Sequence, residues 1–146
     1  MSSYVSTRVR RLVINRAEGL CEYCLINEAD TYFGLQIEHI ISEKHDGKSV
    51  ESNLALACIT CNQFKGTDIA AFAASSSRLV RLFNPRKDKW STHFKLNGFS
   101  IIANDEIGEA TLGLLKFNTS ERLYEREILI LCQRYPSEAA RKRMTL

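Results

Sequence analysis

Four cysteines in two Cys-x-x-Cys pairs, Cys21-Glu22-Tyr23-Cys24 and Cys58-Ile59-Thr60-Cys61, constrain this chain more than any other feature. Paired thiols at that spacing suit a tetrahedral zinc ion, because four thiolates replace water around the metal and fold the loops that carry them. Four protein ligands also close the coordination shell, so such an ion is structural and keeps no position open for substrate or water. The span between the pairs exceeds the commonest zinc-ribbon spacing and has a pattern of its own. It runs through an apolar strand ending in Glu38-His39-Ile40-Ile41, a polar loop, then Asn53 leading into Leu54-Ala55-Leu56-Ala57, and Asn62-Gln63-Phe64-Lys65-Gly66 follows the second pair.

The order acid-His, Asn, Cys-x-x-Cys-Asn resembles the HNH endonucleases of the ββα-metal superfamily, of the small stand-alone bacterial or phage type, over about Cys21 to Gly66. The resemblance implies a module of two strands and a helix beside the zinc knuckle, and metal-dependent hydrolysis of phosphodiester bonds in DNA. It makes His39 the general base, a role that suits a side chain whose unperturbed pKa lies near neutrality. Glu38 and Asn62 then correspond to the ligands of a catalytic Mg²⁺ or Mn²⁺, and Asn53 to the residue that bridges the loop and orients the His39 ring. The family's first acid is most often Asp and its third motif residue most often His, where this chain has Glu38 and Asn62.

His45, in the connecting loop, and Lys65, one helical turn after Asn62, are candidate phosphate contacts; a solvated loop histidine and an ordinary exposed lysine are the competing readings. Glu38-His39 as a strand-end pair satisfied by backbone groups is the plain alternative to a catalytic pair. For the whole chain, the rival function is a non-catalytic zinc-dependent module that binds nucleic acid.

At 146 residues the chain suits one unit of α+β class. Residues 1–72 are expected to form the nuclease module with an N-terminal helix and zinc knuckle, and residues 73–146 an α+β extension packed on it. A net charge of +3 neither demands nor excludes a nucleic-acid partner, so the placement of the charges matters more. Arg8, Arg10, Arg11 and Arg16 crowd the first segment, and Arg141, Lys142 and Arg143 the last. No apolar run reaches membrane-spanning length and no secretory pattern opens the chain, so a cytoplasmic protein without a membrane partner is expected. Five cysteines, four of them paired as ligands, fit a reducing compartment better than a disulfide framework.

Along the chain, apolar residues at helical spacing from Tyr4 to Glu18 predict an amphipathic helix closed by Gly19. Leu35 to Ile41 and Leu54 to Ala57 predict two strands, and Cys61 to about Phe72 a helix that Gly66 weakens. The small residues Ala73 to Ser77 suggest a boundary. Arg78 to Phe83 reads as a strand, and Asn97-Gly98 between His93–Leu96 and Phe99–Ala103 as a two-residue hairpin turn. Helices follow after Asn104-Asp105, after Ser120 and after Ser137, with Pro136 ending the second. Cys132 falls on an apolar helix face and is expected in the core. Dimerisation through the C-terminal helices is a further expectation, since two active sites favour cutting both strands.

Overall fold

The computed structural model describes residues 4–146. The first helix, α1, spans Thr7–Ala17, with the Ser6 hydroxyl accepting from the Val9 amide as its N-cap. It ends in the left-handed region at Glu18 (φ 55°) and Gly19 (φ 75°), and its buried residues are Val13 and Ala17. The apolar spacing therefore sets the packed face, while Arg8, Arg10 and Arg11 remain exposed.

The first cysteine pair sits in a tight turn closed by bonds between Cys21 and Ile26 and between Leu25 and Cys21. Strands β1 (Leu35–His39) and β2 (Leu54–Cys58) then pair antiparallel, with Leu35 opposite Cys58 and His39 opposite Leu54. Every residue of β2 is buried, which explains an apolar run without alternation. Helix α2 (Ile59–Lys65) starts directly from β2, with Cys58 Sγ accepting the Cys61 amide at 3.4 Å.

The expected helix to Phe72 stops at Lys65. Gly66 caps it at φ 52°, ψ −131°, a backbone conformation far from helical, and residues 70–72 form strand β3 (Ala70–Phe72). It pairs with β4 (Leu79–Arg81), and the stretch 73–77, suggestive of a boundary by composition, is the turn between them. There the Ala73 amide bonds the Arg78 carbonyl, and the Ser77 amide the Ala73 carbonyl.

His93, placed by alternation in a strand, instead ends the short helix α3 (Trp90–His93). Strands β5 (Phe94–Asn97) and β6 (Ser100–Ala103) form the expected hairpin, shifted by one residue: Asn97 pairs with Ser100, so the turn residues are Gly98 and Phe99. Of the two, Gly98 takes a positive φ (64°), the pattern of a type II′ turn. Helices α4 (Glu106–Leu114), α5 (Ser120–Leu131) and α6 (Glu138–Thr145) are capped by Asp105, Thr119 and Ser137. Cys132, expected in the core, is exposed: it is the C-cap of α5, beside a likewise exposed Leu131.

A hydrophobic cluster draws on both halves of the sequence, with Leu20, Tyr23 and Ala55 joined by Phe83, Phe94 and Phe117. Phe94 lies at its centre, 5.4 Å from the Phe83 ring, 5.2 Å from Trp90 and 5.6 Å from Phe117. The fold is α+β, with a ββα unit at the cysteines and a C-terminal hairpin and helices around it.

Candidate functional site

The four Sγ atoms of Cys21, Cys24, Cys58 and Cys61 all lie within 4.8 Å of one another, and all four residues are buried. Sulfurs on a regular tetrahedron with bonds of about 2.3 Å are about 3.8 Å apart, and the Cys24 and Cys58 sulfurs are separated by 3.8 Å. The donor set and spacing fit zinc. Among the described residues, this is the one group of three or more His, Cys, Asp or Glu side chains placed to hold an ion.

The extension supplies the shell around the cluster. Arg122 of α5 donates to Cys61 Sγ at 3.2 Å and to the Leu115 carbonyl at 2.9 Å. Burial works against its charge, but the Cys61 and Cys24 sulfurs outweigh burial and hold its pKa up. Burial likewise raises the Cys21 and Cys61 thiols, while hydrogen bonds from the neighbouring cysteines lower Cys24 and favour its thiolate.

The two residues between the first pair of cysteines are anchors that sequence reasoning missed. Glu22 is buried; its Oε2 accepts the Leu56 amide at 2.9 Å, and its Oε1 is paired with Arg86, with Arg143 at 3.6 Å. Tyr23 receives the Trp90 indole N–H on its carbonyl at 2.8 Å, and Tyr135 donates to the Cys24 carbonyl at 2.8 Å. The signal in the sequence was an acid enclosed by metal ligands, with Arg86 in the loop before α3 and Arg143 in the last turn of α6 to answer it.

His39 ends β1, partly buried, and its Nε2 lies 2.9 Å from Ser49 Oγ. Ser49 was absent from the sequence reading, because nothing in its neighbourhood distinguishes it from other loop serines. Asn53 knits the loop: its Oδ1 accepts the Ile41 amide at 2.9 Å, and its Nδ2 donates to the Ile41 and Lys48 carbonyls at 2.8 and 2.9 Å. The Ile40 amide also bonds the Asn53 carbonyl at 2.9 Å. From α1, Arg16 donates to the Glu51 and Leu54 carbonyls at 2.5 and 2.6 Å, so it braces this loop from behind.

Glu38 points inward. It is 5% exposed, its Oε1 accepts the Tyr23 hydroxyl, and its Oε2 is 3.5 Å from Lys65 Nζ. Burial pushes its carboxyl up, against the pull of the Lys65 ammonium. Asn62 donates to Gln36 Oε1 at 2.8 Å, which leaves its carbonyl oxygen uncommitted by that bond. Each Glu38 oxygen thus faces one protein donor, the Tyr23 hydroxyl or the Lys65 ammonium, in a buried setting.

Lys65 requires a correction. Expected at the surface as a phosphate contact, it is 1% exposed and donates to the Ile40 and His39 carbonyls at 2.8 and 3.3 Å. Its position one turn after Asn62 turns it onto the end of β1, where His39 and the following Ile40 present those oxygens. His45 is exposed in the single helical turn Glu43–His45 of the loop.

Residues 21–68, about a third of the chain, match the family model of the HNH endonucleases. None of the curated proteins matches the chain.

Proposed function

We propose that the protein hydrolyses phosphodiester bonds in DNA, with His39 as the general base, a reading supported by the match of residues 21–68 to the HNH endonuclease family model and by the four-cysteine knuckle. The observation that supports this most is the convergence at the end of β1. His39 is held at its ring by Ser49, and the chain around it is fixed by Asn53 and Lys65. A positioned imidazole takes a proton from water as the water oxygen bonds to phosphorus; the P–O3′ bond breaks, and the 3′ oxygen leaves with a proton taken from solvent.

Asn53 is the positioning residue of this scheme, since its amide closes the loop on both polar groups of Ile41. Exposed Arg8 and Arg11 on α1, together with His45, are the proposed phosphate contacts. Mg²⁺ or Mn²⁺ is the proposed dissociable cofactor, beside a structural zinc. Asn62 is its proposed oxygen ligand.

The test is cleavage of supercoiled plasmid by zinc-loaded protein, with Mg²⁺ or Mn²⁺ added or with EDTA. Nicking or linearisation that appears with added metal and vanishes with EDTA supports the enzyme. Salt-sensitive DNA binding without cleavage in any metal would establish the binding-module reading instead.

A further inference from the structure

An ammonium as enclosed as that of Lys65 needs a counter-charge and acceptors for its N–H groups, or it costs the fold heavily. Lys65 finds all of these at one place. Its Nζ reaches the carbonyls of His39 and Ile40 at 3.3 and 2.8 Å and Glu38 Oε2 at 3.5 Å, and the two charged side chains are 2% and 4% exposed. The other oxygen of Glu38 is taken by the Tyr23 hydroxyl. Three consecutive residues of one strand end, 38 to 40, are therefore gathered onto a single cation from α2.

The two carbonyls belong to the peptide planes that follow His39 and Ile40. Asn53 holds the second of these planes as well, through the Ile41 amide, and the next one along through the Ile41 carbonyl. Loss of the ammonium would free the chain just after the histidine, and loss of the Glu38 charge would leave a buried cation uncompensated. Neither effect requires an ion at Glu38.

We propose that Lys65 and Glu38 form a positioning pair for His39: Lys65 clamps the two carbonyls, and Glu38, held by Tyr23, is the counter-ion of the clamp in place of being a ligand to a divalent cation. What the pair positions His39 for rests on the nuclease reading; the pairing itself does not.

The experiment compares wild type, Glu38→Gln, Lys65→Met and the double variant. Each is checked for zinc content and assayed below its melting temperature for plasmid nicking, while the His39 ring resonances are followed by NMR. Lys65→Met is expected to lower kcat about tenfold or more with little change in KM, because a displacement of about 1 Å in a catalytic group can cost about a hundredfold. Glu38→Gln is expected to fall similarly. The double variant, with no uncompensated buried charge, is expected to lose less than the two single losses combined, and its ring resonances to move back toward wild type.

Full activity and unmoved ring resonances in Lys65→Met would overturn the pair. So would a Glu38→Gln loss that the double variant does not relieve. If Lys65→Met fails to fold, the double variant against Glu38→Gln carries the same comparison. If no protein cleaves, wild type included, the nuclease reading fails, and the ring resonances alone decide the pair.

Discussion

Gly47 shows how little room the site loop allows a single residue. A Cβ there would stand 1.7 Å from the Ile41 carbonyl oxygen and 2.9 Å from Asn53 Nδ2, both fixed partners in the loop. Gly47→Ala is thus expected to cost about 3 kcal/mol or more, the upper end for overpacking, and to lower cleavage by displacing Asn53; urea melts and nicking rates check both. At Asp88, burial pushes the carboxyl up, but two hydrogen bonds from Arg81 and one from the Asn84 amide outweigh it and hold it below its ordinary 3.8. A depressed carboxylate stabilises the fold above its unfolded pKa, and that contribution is lost as pH falls through the folded value. Melting temperature should therefore decline below about pH 4 in a step that Asp88→Asn lacks. The site was partly legible at this scale: the knuckle cysteines, His39 and Asn53 stand in a recognisable order. The partners were not, since Ser49 and Lys65 reach their places only through the β1–β2 register and the start of α2 at Cys58.

At the scale of elements, the hairpin and the capped helices followed from local chemistry: Gly98 accommodates the positive φ of its turn, and Asp105 and Ser137 cap the helices they precede. What local pattern did not reveal was the exchange of a helical continuation for the β3–β4 hairpin. Ala70-Ala71-Phe72 has no strong preference, and pairing with Leu79–Arg81 decides its state. Nor did spacing alone show how the extension attaches. The loop before α3 carries Arg86 to the buried Glu22 carboxylate, and α6 carries Arg143 to the same group. Breaking a buried pair from one side leaves a charge in a poor solvent, so Arg86→Ala should destabilise the protein by roughly 3 kcal/mol. Removing both partners, in Glu22→Gln with Arg86→Ala, should cost less than the sum, as a double-mutant cycle in denaturant can show.

For the whole molecule, the four-cysteine site and the core are one structure. Arg122 reaches Cys61, Tyr135 reaches the Cys24 carbonyl, and Trp90 donates to the Tyr23 carbonyl, so the knuckle is held by three parts of the extension. Chelating the zinc should therefore disturb residues far along the chain from the cysteines. The single tryptophan reports this directly: Trp90 is 4% exposed, and its fluorescence should shift to the red as metal is withdrawn and return when zinc is restored. An unchanged spectrum would mean that the extension holds its fold without the knuckle. The measurement that bears most directly on the central claim is the initial rate of plasmid nicking in Mg²⁺ or Mn²⁺ by wild type and by His39→Ala, with equal zinc content and equal DNA binding verified. The account predicts metal-dependent nicking by wild type and a loss of about a hundredfold or more in the variant; nicking at the wild-type rate by His39→Ala would contradict it.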